Sequence, residues 1–194
     1  MKASYEVEVK VRIKDATAIE QAILHAGGHR LNSEIQTDMY YDHPCRSFSQ
    51  TDEAVRIRTR EAVDNVPLSN FGHAPMELTY KGPKVDTTTK TRLEYTTGIT
   101  DLDATISILH HTGFKHVAAL KKYRLFFDIK GTTVSIDDVD DVGLFIELEI
   151  IAGSKRSMEV ARNRVISLVQ QLGLDPDSMI RESYLELYLG RVAH

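Results

Sequence analysis

The chain has 194 residues, 42% of them hydrophobic and 27% charged, with a formal net charge of −4 and a single cysteine. This balance is ordinary for a globular protein and excludes both a disordered chain and a disulfide-stapled mini-protein. The negative net charge disfavours a protein that coats nucleic acid or an anionic membrane, so any basic surface must be local.

One domain, residues 1–194, is expected at this length. No stretch approaches the roughly 20 apolar residues that span a bilayer, and the N-terminal residues lack the apolar run of a leader. A cytoplasmic protein without a membrane partner is therefore expected. Cys45, with Ser47 and Ser49 nearby, receives no catalytic role, and the eight histidines lack the spacing of a zinc site.

Residues 5–14, Tyr-Glu-Val-Glu-Val-Lys-Val-Arg-Ile-Lys, alternate charged with aliphatic side chains. That is a β-strand with Val7, Val9, Val11 and Ile13 on a dry face and Glu6, Glu8, Lys10, Arg12 and Lys14 on the other. Asp15 is the N-cap of a helix over residues 16–25 that Gly27 and Gly28 terminate. Short strands are expected at 36–42 and 53–61, the second carrying Arg56, Arg58 and Arg60 on one face. Residues 63–74 read as a loop, and a strand over 75–81 ends at Gly82-Pro83.

The strand predicted at 90–97 places Lys90, Arg92 and Glu94 together. Thr100 or Asp101 caps a second helix closed by Gly113. Residues 117–129 and 132–137 form a hairpin turning at Lys130-Gly131, with Lys122, Arg124 and Phe126 on one face, before an acidic turn at 137–141. The strand over 144–151 sets Phe145, Glu147 and Glu149 on one face, Ser154 caps a long helix to Leu172, and an amphipathic segment over 183–189 ends the chain.

About eight strands with charged and aliphatic faces make an α+β protein. The economical arrangement wraps them into a closed antiparallel β-barrel with helices over the aliphatic exterior and charges inside. The inward acids are Glu6, Glu8, Glu94, Asp137, Glu147 and Glu149, and the inward bases Lys10, Arg56, Arg58, Lys81, Arg92, Lys122 and Arg124. Taken singly, the arginine row is more ordinary as a solvated strand face. Together, unpaired charges in a lumen would be very unstable, so the set calls for a charged guest. Clustered carboxylates suit Mg²⁺ or Mn²⁺, and bases from several strands suit phosphate oxygens.

These residues, in this order, resemble the CYTH superfamily of triphosphate tunnel metalloenzymes. The resemblance is carried by Glu6-x-Glu8-x-Lys10, by Arg56-x-Arg58, by Leu-Thr-Tyr-Lys81-Gly-Pro and by Thr-Arg92-Leu-Glu94. Lys122-x-Arg124, Asp137 and the Phe-Ile-Glu147-Leu-Glu149 run complete it. It implies an eight-stranded tunnel in which Glu6, Glu8, Asp137, Glu147 and Glu149 adjoin divalent metals. Lys10, Arg56, Arg58, Lys81, Arg92, Lys122 and Arg124 would grip a triphosphate, with Lys10, Arg56, Lys81, Lys122 and Arg124 carrying catalysis.

Ser183-Tyr184-Leu185-Glu186-Leu187 and the run from Leu78 to Pro83 look most like the CyaB-type class IV adenylyl cyclase branch. The expected reaction is then ATP to cyclic AMP and pyrophosphate, with hydrolysis of tripolyphosphate or another triphosphate as the alternative. A polyphosphate binder without activity would not need the carboxylates, and an RNA-binding barrel would want exposed aromatics among bases. Tyr184, Leu185, Leu187, Tyr188 and Leu189 raise the possibility of a homodimer or of an internal cap on the barrel.

Overall fold

The computed structural model describes residues 4–64, 74–85 and 89–192. Its eight strands are β1 (Ser4–Arg12), β2 (His29–Asp42), β3 (Ala54–Ala62), β4 (Met76–Lys84), β5 (Arg92–Gly98), β6 (Lys115–Ile129), β7 (Thr132–Val139) and β8 (Gly143–Ala152). They form a closed barrel in the order β1-β5-β4-β3-β2-β6-β7-β8, every pairing antiparallel. Two meanders, β2 to β5 and β6 to β8, are thus joined at one seam by the β2–β6 ladder and at the other by β1. The helices are α1 (Ala16–His25), α2 (Phe48–Thr51), α3 (Leu102–His111), α4 (Lys155–Gln171) and α5 (Tyr184–Val192).

The period-2 pattern decides the polarity of the wall. Val7, Val9 and Val11 of β1, and Ile13 just after it, are buried in one cluster with Val165, Leu168 and Val169 of α4 and Ile23 of α1. Each such side chain contributes on the order of 1.5–3 kcal/mol. Asp15 and Ser154 cap α1 and α4 by accepting hydrogen bonds from Ala18 N–H and Ser157 N–H, at 3.0 and 3.3 Å. Leu109 of α3 packs against Tyr41, Val55 and Ile57 on the outer face of β2 and β3. Among the described residues no helix is long and apolar enough to cross a membrane.

Several expectations are corrected. β2 is 14 residues long and begins at His29, because a register shift between Arg30 and Ser33 interrupts the alternation that marks a strand. β4 continues through Gly82 and Pro83 to Lys84, with the irregularity in the β4–β5 ladder between Lys81 and Lys84. The acidic turn is shorter than expected: Asp137 lies within β7, paired with Arg124 and Phe145. The loop expected at 63–74 falls mostly outside the described residues. The β6–β7 hairpin turns at Lys130 and Gly131, both at positive φ, as a primed two-residue turn requires.

The C-terminal segment closes one end of the barrel. Leu185, Leu187 and Tyr188 pack with buried Tyr184, Phe145, Val139 and Ala118, and Ala54 joins the same cluster. Of the apolar stripe that raised a homodimer, Tyr184, Leu185, Leu187 and Tyr188 are engaged with the barrel of their own chain, while Leu189 is exposed.

Candidate active site

A cavity of about 670 Å³ occupies the lumen, walled by side chains from all eight strands and from α5. Ten of the twelve expected site residues line it: Glu6, Glu8, Arg56, Arg58, Lys81, Arg92, Lys122, Arg124, Glu147 and Glu149. The other two, Lys10 and Asp137, are fully buried in the wall. The ladders explain the convergence. Glu8 stands opposite Glu149 and Lys10 opposite Glu147 across β1–β8, Arg124 faces Asp137 across β6–β7, and Lys81 faces Glu94 across β4–β5.

The bases are held in place by acids. Arg58 donates to both carboxylate oxygens of Asp38, at 2.6 and 2.7 Å, a forked geometry that fixes the guanidinium plane. Arg56 lies 3.7 Å from Asp38 and 3.4 Å from Glu77. Burial alone would raise the Asp38 carboxyl, but Arg58 and Arg56 hold it far below the usual range. Asp137 accepts from Arg124 Nε at 2.6 Å, from Lys122 Nζ at 3.2 Å and from the Tyr184 hydroxyl at 2.8 Å. Arg124 also pairs with Glu147, Lys81 pairs with Glu94, and Arg92 reaches Asp52 at 3.5 Å.

The opposite wall is acidic and less well neutralised. Lys81 is 3.5 Å from Glu6 and Lys90 is 2.6 Å from Glu8, while Glu149 has no cation paired with it among the described residues. Burial lifts the Glu149 carboxyl well above the usual range, and the charges of Glu6 and Glu8 push it the same way. Burial raises Glu6 and Glu8 too. Glu147 is the exception: burial opposes its ionisation, yet Arg124, Lys90 and Lys122 hold it well below the usual value. All-oxygen donors under mutual repulsion fit a hard divalent cation. No three acidic or histidine side chains among the described residues stand already converged around a common point.

Two lysines are set apart by burial. Lys10, 0% exposed, has no hydrogen-bond partner for Nζ among the described residues, and Nζ lies 3.9 Å from Glu147 and 4.0 Å from the Tyr184 ring centroid. Burial, then the charge of Lys90, lowers it to about 7. Lys122 is lowered to about 8 by burial and by Arg124. In the folded protein these protons are lost as pH rises past 7 to 8, whereas the unfolded chain keeps them to about 10.4. Stability is therefore expected to rise with pH through that interval. A bound polyphosphate favours the charged forms, so tripolyphosphate binding near pH 8 should take up protons. Calorimetric heats that differ among buffers of different ionisation enthalpy would show it; identical heats would contradict it.

Sequence reasoning passed over Asp38, Glu77, Lys90 and the role of Tyr184. Asp38 had a signal: Glu34, Gln36 and Asp38 alternate with Ile35, Thr37 and Met39, a polar row continuing the strand read at 36–42. Glu77 stands opposite Arg58 across β3–β4. Lys90 stands beside Arg92 in the alternation without a site role, and Tyr184 enters the sequence reading through the Ser183–Leu187 run and the apolar stripe, neither of which discloses its hydroxyl on Asp137.

The CYTH domain model matches residues 4–184, and the chain belongs to that family. It is 34% identical over 182 residues to the Methanocaldococcus jannaschii protein MJ0240, provisionally named an adenylate cyclase, covering 94% of this chain and 97% of that one. It is 28% identical to the adenylate cyclase CyaB of Aeromonas hydrophila over 189 residues, 94% of this chain and 88% of the other. Among solved structures, the PH1819 protein of Pyrococcus horikoshii superimposes with a TM-score of 0.84 at 37% identity, covering 96% and 99% of the two chains.

Proposed function

We propose that the lumen is the active site of a metal-dependent enzyme acting on a triphosphate, most like a class IV adenylyl cyclase that converts ATP to cyclic AMP and pyrophosphate. The observation that carries this reading is that Arg56, Arg58, Lys81, Arg92, Lys122 and Arg124, from four strands, face one cavity whose opposite wall is Glu6, Glu8, Glu147 and Glu149. The cavity volume lies within the range of small-molecule sites.

In this reading Glu6, Glu8, Glu147 and Glu149 hold Mg²⁺ or Mn²⁺. When bound, the metal would polarise phosphate oxygens and offset charge on the leaving pyrophosphate. The forked guanidinium groups and the ammonium of Lys122 orient the phosphate chain and stabilise the charge that develops on it. Asp137, its oxygens engaged by Arg124, Lys122 and Tyr184, acts through those cations as a positioning group. The ribose 3′-oxygen forms the new bond to the α-phosphorus, the bond to the β-phosphate bridging oxygen breaks, and the hydroxyl proton leaves to solvent.

Hydrolysis of the terminal phosphate is the second reading. It is favoured by a specific feature: the converged cations all suit phosphate oxygens, whichever organic group the triphosphate carries. Incubation of the purified protein with Mg²⁺ or Mn²⁺ and either ATP or tripolyphosphate, with products resolved by ³¹P NMR and chromatography, decides between them. Cyclic AMP with pyrophosphate is the expected outcome. Orthophosphate would establish the hydrolase reading, and unchanged substrates would overturn both.

A further inference from the structure

Lys90 precedes β5, on the connection from β4, yet its side chain reaches the acidic wall of the cavity. The last β1–β5 pair is Glu6 with Arg92, and the Lys90 N–H extends the seam by donating to the Glu8 carbonyl at 2.9 Å. On either side, Thr89 and Thr91 are buried with their hydroxyls 2.6 Å apart, which pins this short segment. The ammonium donates to Glu8 Oε1 at 2.6 Å, and both side chains are about nine-tenths buried. Its charge also stabilises the ionised forms of Glu147 and Glu6 and disfavours that of Lys10. Lys90 thus sits where the fields of three carboxylates overlap, in the region that a cation held by those same acids must enter.

We propose that Lys90 is a resident counter-cation that competes with the divalent metal for Glu8. It neutralises the acidic wall while the lumen is empty, leaves Glu8 when the metal arrives, and turns its ammonium onto the incoming phosphates. This rests on the reading of Glu6, Glu8, Glu147 and Glu149 as metal-holding residues. Two consequences follow from the charge placement. Metal affinity without substrate is weaker than the carboxylates alone would give, and metal and triphosphate binding help each other, reciprocally, because the displaced ammonium becomes a phosphate ligand.

The test is Mn²⁺ binding to the nucleotide-free protein, followed by electron paramagnetic resonance and by calorimetry. Lys90→Met, which keeps length but removes charge, is expected to bind Mn²⁺ roughly tenfold more tightly than wild type. Lys90→Arg should stay near wild type, and added tripolyphosphate should strengthen Mn²⁺ binding more in wild type than in Lys90→Met. Loss of packing would weaken binding, so the direction separates charge competition from structural damage. Equal or weaker Mn²⁺ binding by folded Lys90→Met overturns the proposal. Mn²⁺ bound by neither protein overturns the assignment of the carboxylates as well. Should Lys90→Met fail to fold, the ¹⁵Nζ resonance of Lys90, identified by its loss in Lys90→Arg, is followed during Mg²⁺ titration of wild type. It is expected to shift; a stationary resonance while Mg²⁺ binds overturns the competition.

Discussion

Replacing Glu147 by Gln is expected to lower turnover of ATP or tripolyphosphate by about 10²–10³-fold while leaving polyphosphate binding intact or tighter. Glu147 belongs to both walls: it pairs with Arg124, faces Lys10 across the β1–β8 ladder and lines the cavity with Glu6, Glu8 and Glu149. The amide keeps the volume but removes a charge that Arg124, Lys90 and Lys122 hold ionised. The lumen then becomes more positive, which favours an anion, while one metal-facing carboxylate is lost. Steady-state rates at saturating Mn²⁺, read beside tripolyphosphate affinity measured without metal, check both halves. Wild-type turnover in Glu147→Gln would sink the division of labour between the two walls.

Asp137→Asn is expected to destabilise the folded protein by about 3–5 kcal/mol, because it leaves the Arg124 and Lys122 charges buried without their common partner. Asp137 is 0% exposed and accepts from Arg124, Lys122 and Tyr184, so it ties β6, β7 and α5 at one point. The cations around it hold its carboxyl below the ordinary value against the opposing effect of burial. That stability is present above the unfolded value of about 3.9 and is lost as pH falls through the lower folded value. Urea midpoints across this acid range measure it. An unchanged midpoint at neutral pH would mean that water or another acceptor replaces the carboxylate.

Where charge and aliphatic chains alternate without interruption, the wall was readable before any coordinates. β1, β3 and β8 carry Glu6-Glu8-Lys10, Arg56-Arg58 and Glu147-Glu149 in that form, and all of these residues reach the lumen or its wall. Reading failed where a second influence entered. The register shift near residues 30–33 hid the first half of β2. Asp38 ends a readable polar row, but its pairing with Arg58, like the place of Glu77, appears only when β2, β3 and β4 are laid side by side. Lys90 lies just before β5, and the alternation that put it on the face of Arg92 and Glu94 gave its direction but not its partner, Glu8, which belongs to a remote strand. Tyr184 serves through its hydroxyl and its ring face together, under the ammonium groups of Lys10 and Lys122, which an apolar stripe does not disclose.

The placement of β1 between β5 and β8 has a kinetic meaning. β1 acquires its second partner only when residues near 150 exist, so ring closure depends on contacts between remote parts of the chain. Until β1 is seated between them, β5 and β8 present open edges, where a neighbouring molecule can add a strand. The charged side chains aimed inward from those edges, Arg92 and Glu94 on one and Glu147 and Glu149 on the other, make such an intruder unwelcome. The ionic lining that serves the finished molecule thereby also guards the unfinished one against aggregation.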